Sequence, residues 1–469
     1  MPQNLRFTLM AACLATLAAT SLGAQVTADT LRLSMDEAVK RALATGEEMR
    51  VARAQVRDAN GTVTEAWSAA LPHVTGSVSY TRQFASLYED FGVDTVIAPI
   101  FANSPFGAAN AWNVELRASQ LLFASGKVGA ALKGAKAYRE AANATAEQTA
   151  SDIALSVKRA YLGAALADQL VVIARASLDQ AREHLAQVKR YQLAGTRAEY
   201  DLLRAQVDVA NQEPVVVEAE NAQTLAMLQL RWLVNIAPTQ PLELTTPLVS
   251  PDGTLPVALL DSVSPANRSA VIAAEASVRV REQAVKVARA DRYPTLSAGA
   301  TLSNQAFPDQ VSPFGAEFNR NWNAEVRLSV PLFLGGRTVG AVERAQATLE
   351  MTRAQRDQTT ELVGLEIEKA RAELQRAQSL VAARRVTVRQ ALRAHHLASV
   401  RYTNGMSTQL EVSDARLIAQ QAAADEVQAT RDYRLALAQL EHALGRPVPV
   451  ESKSLDQIAT INQRKGMQP

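Results

Sequence analysis

Trp112, Val114, Leu116 and Ala118 alternate with Asn113, Glu115, Arg117 and Ser119. A period of two puts hydrocarbon on one face of a strand and charge on the other. Trp322, Ala324, Val326, Leu328 and Val330 repeat the pattern, and Val74, Gly76, Val78, Tyr80 and Leu296, Ala298, Ala300, Leu302 alternate likewise as their partners. The pattern predicts two hairpins, with strands at about 73–88 and 110–123 and at about 295–306 and 320–333. A different period follows each pair. Ile153, Val157, Ala160, Ala164, Ala167, Val171, Ala174, Leu178, Ala181, Leu185 and Val188 keep the 4-3 spacing of a heptad seam.

The chain is duplicated. The segment from Trp112 to Gly126 matches that from Trp322 to Gly336 without a gap, a shift of 210 (322 − 112). The same shift relates Gly195 to Gly405 and carries the seam onto Val363, Ile367, Ala370, Leu374, Ala377 and Val381. Upstream, Pro72 matches Pro294 with a shift of 222 (294 − 72), so the length difference falls in the loop between paired strands. The first repeat covers 25–235, with long helices at about 127–192 and 199–235, and the second covers 266–445, with long helices at about 337–403 and 408–444. A helix of about 65 residues is a rod of roughly 95 Å. Gly195 and Gly405 end the rods as left-handed caps. Pro214 predicts a kink or break in the first returning helix. The proline-rich stretch 236–265 reads as a connector with little regular structure, and 446–469 as a C-terminal tail.

Composition narrows the function more than the fold. Lys plus Arg number 49 against 47 Asp plus Glu, which gives no electrostatic case for nucleic acid. The apolar run Phe7 to Leu22 predicts a signal peptide over 1–24 with cleavage after Ala24. The one cysteine, Cys13, lies within it, so no thiol chemistry and no lipid anchor are expected of the mature chain. Past the leader, no stretch of eighteen apolar residues lacks charge, so membrane entry is expected through strands, a reading consistent with aromatic residues gathered around them. His73, His184, His395, His396 and His442 are scattered and no catalytic motif is present. No enzyme activity, cofactor or metal site is expected.

Four strands cannot close a barrel with an aqueous bore. Three copies supply twelve strands and twelve long helices, which predicts a homotrimer. With its duplicated halves, a rod after each Leu-Phe-x-x-Gly strand end (Leu122–Gly126, Leu332–Gly336) and Tyr-x-x-Gly turns (Tyr402–Gly405) followed by an acidic pair, the sequence resembles the TolC-like outer-membrane efflux family. The resemblance covers essentially the whole mature chain. It implies a mainly α protein whose trimer shares a 12-stranded β-barrel in the outer membrane of a Gram-negative bacterium and a coiled-coil α-barrel in the periplasm. It implies an exit duct for efflux or type I secretion, with a periplasmic adaptor, an inner-membrane pump and outer-membrane lipid as partners. By the same resemblance Glu411 and Asp414 form the periplasmic gate, Asp201 and Tyr402 make latch contacts, and Gly195 and Gly405 mark the adaptor-facing tips.

Local chemistry offers other roles for the same residues. Thr408–Glu411 and Thr196–Glu199 both fit a capping box, which would make Glu411 a helix cap. Asp201 and Asp414 lie where the helix dipole alone favours acid. Tyr402 also fits as seam packing, and each glycine is explained by its turn. The family's latch arginine is replaced by Ser407, whereas Arg197 holds the matching place in the first repeat, so an altered or inverted latch is expected. The rival from another class is a periplasmic coiled-coil adaptor or structural protein without a pore, which would lack the two registered strand pairs.

Overall fold

The computed structural model describes residues 30–85, 108–249 and 264–445. The expected leader with Cys13 and the tail 446–469 lie outside them. Each repeat runs helix, hairpin, rod and returning helix. The first holds β1 (Leu31–Leu33), α1 (Met35–Thr45), α2 (Glu47–Ser68), β2 (His73–Arg82), β3 (Asn110–Phe123), α3 (Lys127–Leu193) and α4 (Glu199–Leu233). After β4 (Leu242–Leu244) and a 3-10 turn at Pro265–Asn267, the second holds α5 (Ser269–Ala290), β5 (Thr295–Ala306), β6 (Asn319–Ser329), α6 (Arg337–Thr403) and α7 (Gln409–Ala443).

The two shifts reappear in the element bounds. Rods α3 and α6 have 67 residues each and returning helices α4 and α7 have 35 each, and both pairs are related by 210. Helices α2 and α5 have 22 residues each and are related by 222. At 1.5 Å per residue each rod is about 100 Å long. Both rods start from a left-handed glycine, Gly126 and Gly336, each with φ 82°. The preceding residue is left-handed as well. The first repeat uses Ser125 (φ 50°), whose hydroxyl donates to Pro294 O at 3.1 Å, and the second uses Gly335.

Helices α3 and α7 sit in the middle of the lower layer, in the order α4, α3, α7, α6. In the upper half α2 packs on α3, and α5 lies between α3 and α6. The seam residues Ile153, Val157, Ala164, Ala167, Val171, Ala174, Leu178, Ala181 and Val188 are buried in α3, as are Val363, Ile367, Leu374, Ala377 and Val381 in α6. Alanines along α3 allow close approach of its neighbours. One window of α3 is apolar enough by length and composition to cross a membrane, yet half of it is buried against these helices.

The sheet order is β2-β3-β5-β6, antiparallel throughout, with both outer edges unpaired among the described residues. A single chain therefore presents an open four-stranded sheet. Three boundaries differ from expectation. β2 stops at Arg82 and not near 88, and residues 86–88 lie outside the described set. β6 stops at Ser329, because Pro331 lacks the N–H that pairing needs. α4 runs unbroken through Pro214. The connector also contains structure: β4 pairs parallel with β1, and buried Tyr161 ties them by donating to Leu33 O at 3.0 Å and accepting from Thr246 N–H at 2.9 Å.

Candidate functional site

Chemistry concentrates at the ends of the two long hairpins. Each rod ends in the same turn. Thr196 N–H donates to Tyr191 O at 3.0 Å and Met406 N–H to Arg401 O at 2.8 Å, while Gly195 and Gly405 both take φ 75°. The left-handed position closes a Schellman motif, and the turn accounts for both glycines. Nothing lies within 4 Å of where a Cβ would stand on either, so both tips are open to solvent.

Side chains at the two turns differ. Thr408 caps α7 by accepting from Glu411 N–H at 3.3 Å. The Glu411 carboxylate does not complete the box but accepts from Ser407 Oγ at 2.7 Å. In the first repeat the expected Thr196–Glu199 box is absent. The N-cap of α4 is Ala198, and the Thr196 hydroxyl instead donates back to Tyr191 O at 2.9 Å. Glu411 and Asp414 are both exposed, one turn apart on α7.

Tyr402 is 1% exposed and packs with Val188, Ala205 and Val412, joining the ends of all four long helices. Arg197 reaches across from the first turn, its guanidinium 4.5 Å from the Tyr402 ring centre and donating to Tyr402 O at 3.3 Å. Burial pushes the Tyr402 phenol above its ordinary pKa, opposed by Arg197 and reinforced by the charge of Asp201. Asp201 is thus near enough to act on Tyr402 electrostatically, but the Tyr402 hydroxyl is buried without a hydrogen-bond partner. The arginine at the Tyr402 ring thus comes from the first turn, and Ser407 contacts Glu411.

Sequence reasoning missed a polar core behind this ring. Arg416 is 7% exposed and donates to Ser177 O at 3.3 Å and Ser177 Oγ at 3.2 Å, with Asp208 at 3.8 Å. Ser413 hydrogen-bonds Asp208, and His184 hydrogen-bonds Gln409. These contacts join α3, α4 and α7 over more than two hundred residues of sequence, which leaves no local signal. The only available hint was an arginine on the buried face of α7.

At the other end of the molecule one sheet face is apolar and the other polar. Tyr80 and Trp112 pack at 5.1 Å on the apolar face. On the polar face Glu325 lies across β5 at Gly299, where no side chain obstructs it, and is shared by Arg117 at 3.7 Å and Arg327 at 3.1 Å.

A sheet with one apolar and one polar face is thus set on long helical rods. Residues 38–235 and 262–446 match the profile described as outer membrane efflux protein, and the chain belongs to that family. It is therefore a channel-family protein of the Gram-negative outer membrane and not an enzyme. The chain is 27% identical over 428 residues to the pyoverdine export outer membrane protein OpmQ of Pseudomonas aeruginosa, covering 88% of this chain and 83% of that one. It is 28% identical over 320 residues to the fusaric acid resistance protein FusA of Burkholderia cepacia, covering 67% of this chain but 58% of FusA. In fold it is similar to the outer membrane protein VceC of Vibrio cholerae, with TM-score 0.73, 22% identity and coverage of 88% and 96%. It is also similar to the open-state MtrE outer membrane channel of Neisseria gonorrhoeae, with TM-score 0.72, 19% identity and coverage of 88% and 89%.

Proposed function

We propose that three copies of this chain assemble into an exit duct that carries substrates across the outer membrane from an inner-membrane pump and its periplasmic adaptor. The supporting observation is that sheet and helix layer are incomplete on the same two flanks. Strands β2 and β6 have free edges, and α4 and α6 carry a second seam turned to solvent. Leu203, Val207, Val217 and Leu228 on α4, and Met351, Leu365, Val386, Leu397 and Val400 on α6, are all exposed at positions compatible with a 4-3 repeat. A threefold rotation brings α6 of one copy against α4 of the next and β6 against β2, closing twelve strands and a helical cylinder together.

In such a trimer Glu411 and Asp414 contribute six carboxylates near the axis, a cation-favouring gate able to take up divalent ions. Asp201 and Tyr402 belong to the latch that holds it, with Arg197 supplying the cation, and the tips at Gly195 and Gly405 face the adaptor. The names of OpmQ and FusA favour small-molecule efflux over protein secretion.

The test is to determine the mass of the purified chain and record its conductance in planar bilayers. Trimers with small cation-selective openings, enlarged several-fold by Glu411→Ala/Asp414→Ala, are expected. Leu397→Asp should leave a folded monomer. A verified trimer that passes no current would refute the duct, and an unchanged double mutant would return Glu411 and Asp414 to helix-end roles.

A further inference from the structure

The polar core behind Tyr402 joins the first-repeat hairpin to the second. Resting on the duct reading, we propose that this core is a second closure of the tip, and that His184 is the residue through which acid loosens it.

His184 is half-buried on α3, hydrogen-bonded to Gln409 and edge-on to the Tyr402 ring at 5.1 Å. Groups face it from every neighbouring helix. From α4 come Asp208 and, acting on Tyr402, Asp201. From α6 come Tyr402 and His395, with His396 beside it. From α7 come Gln409 and Arg416, and from the first turn Arg197 reaches the far side of the Tyr402 ring. The core already encloses one guanidinium, Arg416, with one carboxylate, Asp208, at 3.8 Å. A proton on His184 adds a second cation beside Arg416, with Asp208 the carboxylate that acts on both.

Two further observations mark the packing as poised. The Tyr402 hydroxyl and the Gln409 amide nitrogen are both buried without partners. A buried polar group without a partner is destabilising, so the closed tip gives up hydrogen bonds that an open, wetted tip recovers.

The direction follows from linkage. Burial is the main cause that holds the His184 pKa below its ordinary value, and Arg416 adds to it, against opposing contributions from Gln409 and Asp208. An opened tip returns the imidazole to water and to about 6.5. The open state therefore binds more protons, and closure is fully stable above pH ~6.5 and weakens as the pH falls through the lowered value.

Conductance of verified trimers at pH about 7.5 and about 5.5 tests this. A several-fold rise on acidification is expected in the wild type, in His395→Gln and in Glu411→Gln/Asp414→Gln. No rise is expected in His184→Gln, which keeps a donor for Gln409, or in His184→Phe, which keeps a ring against Tyr402. An equal rise in the His184 variants overturns the proposal. Spin labels on Gln206→Cys and Ile418→Cys, in a Cys13→Ser background, read the α4 to α7 separation without any current. Widening with acid only when His184 is present supports the switch even if no current flows, which would count against the duct alone. An unchanged separation rejects the switch whatever the conductance.

Discussion

The α3–α4 and α6–α7 hairpins share rod length, return length and turn conformation, yet only the second carries acids one turn apart, Glu411 and Asp414, where the first has Asp201 and Arg204. At the first turn the positions after glycine are Thr196, Arg197 and Ala198. At the second they are Met406, Ser407 and Thr408. The first sends an arginine outward to its neighbour's tyrosine and leaves its own returning helix uncapped. The second caps its helix and holds a glutamate with its own serine. Backbone geometry survives duplication because glycine and the 4-3 seam enforce it. The side chains between are free to diverge, and their complementarity turns two equal hairpins into a clasp.

Replacing each side of a matched pair sharpens this comparison. Tyr402→Ala should have the largest effect, a local loss of about 3–5 kcal/mol from emptying a buried aromatic site. Its counterpart Gln192→Ala, at a half-buried position, should stay within about 0.5 kcal/mol. Hydrogen exchange of amides near the tip, in α6 and α7 for Tyr402 and in α3 and α4 for Gln192, reads both, and equal effects would mean the hairpins are interchangeable. Thr408→Ala should cost about 1 kcal/mol by removing the cap of α7, while Ala198→Asp should gain a similar amount at the start of α4. Protection of the first-turn amides checks the pair, and a stabilised α7 with a weakened α4 would reverse the reading. Arg197→Ala is the smallest, about 0.5–1 kcal/mol for a partly exposed cation over a ring. Arg197→Lys should restore part of it, and a fluorescence titration of the tip tyrosines should show no change in either variant if the contact is incidental.

The rods and strands are legible from sequence because each rests on a local period, repeated in register. The upper helices α1, α2 and α5 escape the same reading. They are short, and their buried positions mix alanines (Ala38, Ala42, Ala52, Ala59, Ala276) with larger residues (Val39, Leu43, Met49, Val56, Val271), without the long repeat that marks the rods. The β1–β4 pair escapes because three residues carry no period and their pairing bridges the whole first repeat. At the tip, Thr196 satisfies a capping pattern on paper, but the preceding turn has already claimed its hydroxyl. Pro214 leaves α4 intact because one missing N–H within a 35-residue packed helix costs less than losing the packing. Arg197 over Tyr402 and the Arg416 core involve partners more than two hundred residues apart, where pattern reading has no purchase.

Equal rods also make the molecule its own ruler. One residue added to α3 alone would turn everything below it by about 100° and lower one tip by about 1.5 Å, presenting Arg197 to empty space. Growth or shortening is tolerable only in seven-residue steps, made in both limbs of both hairpins at once. The reach of this protein is therefore quantised, and any partner that meets its tips must match one of a few discrete lengths.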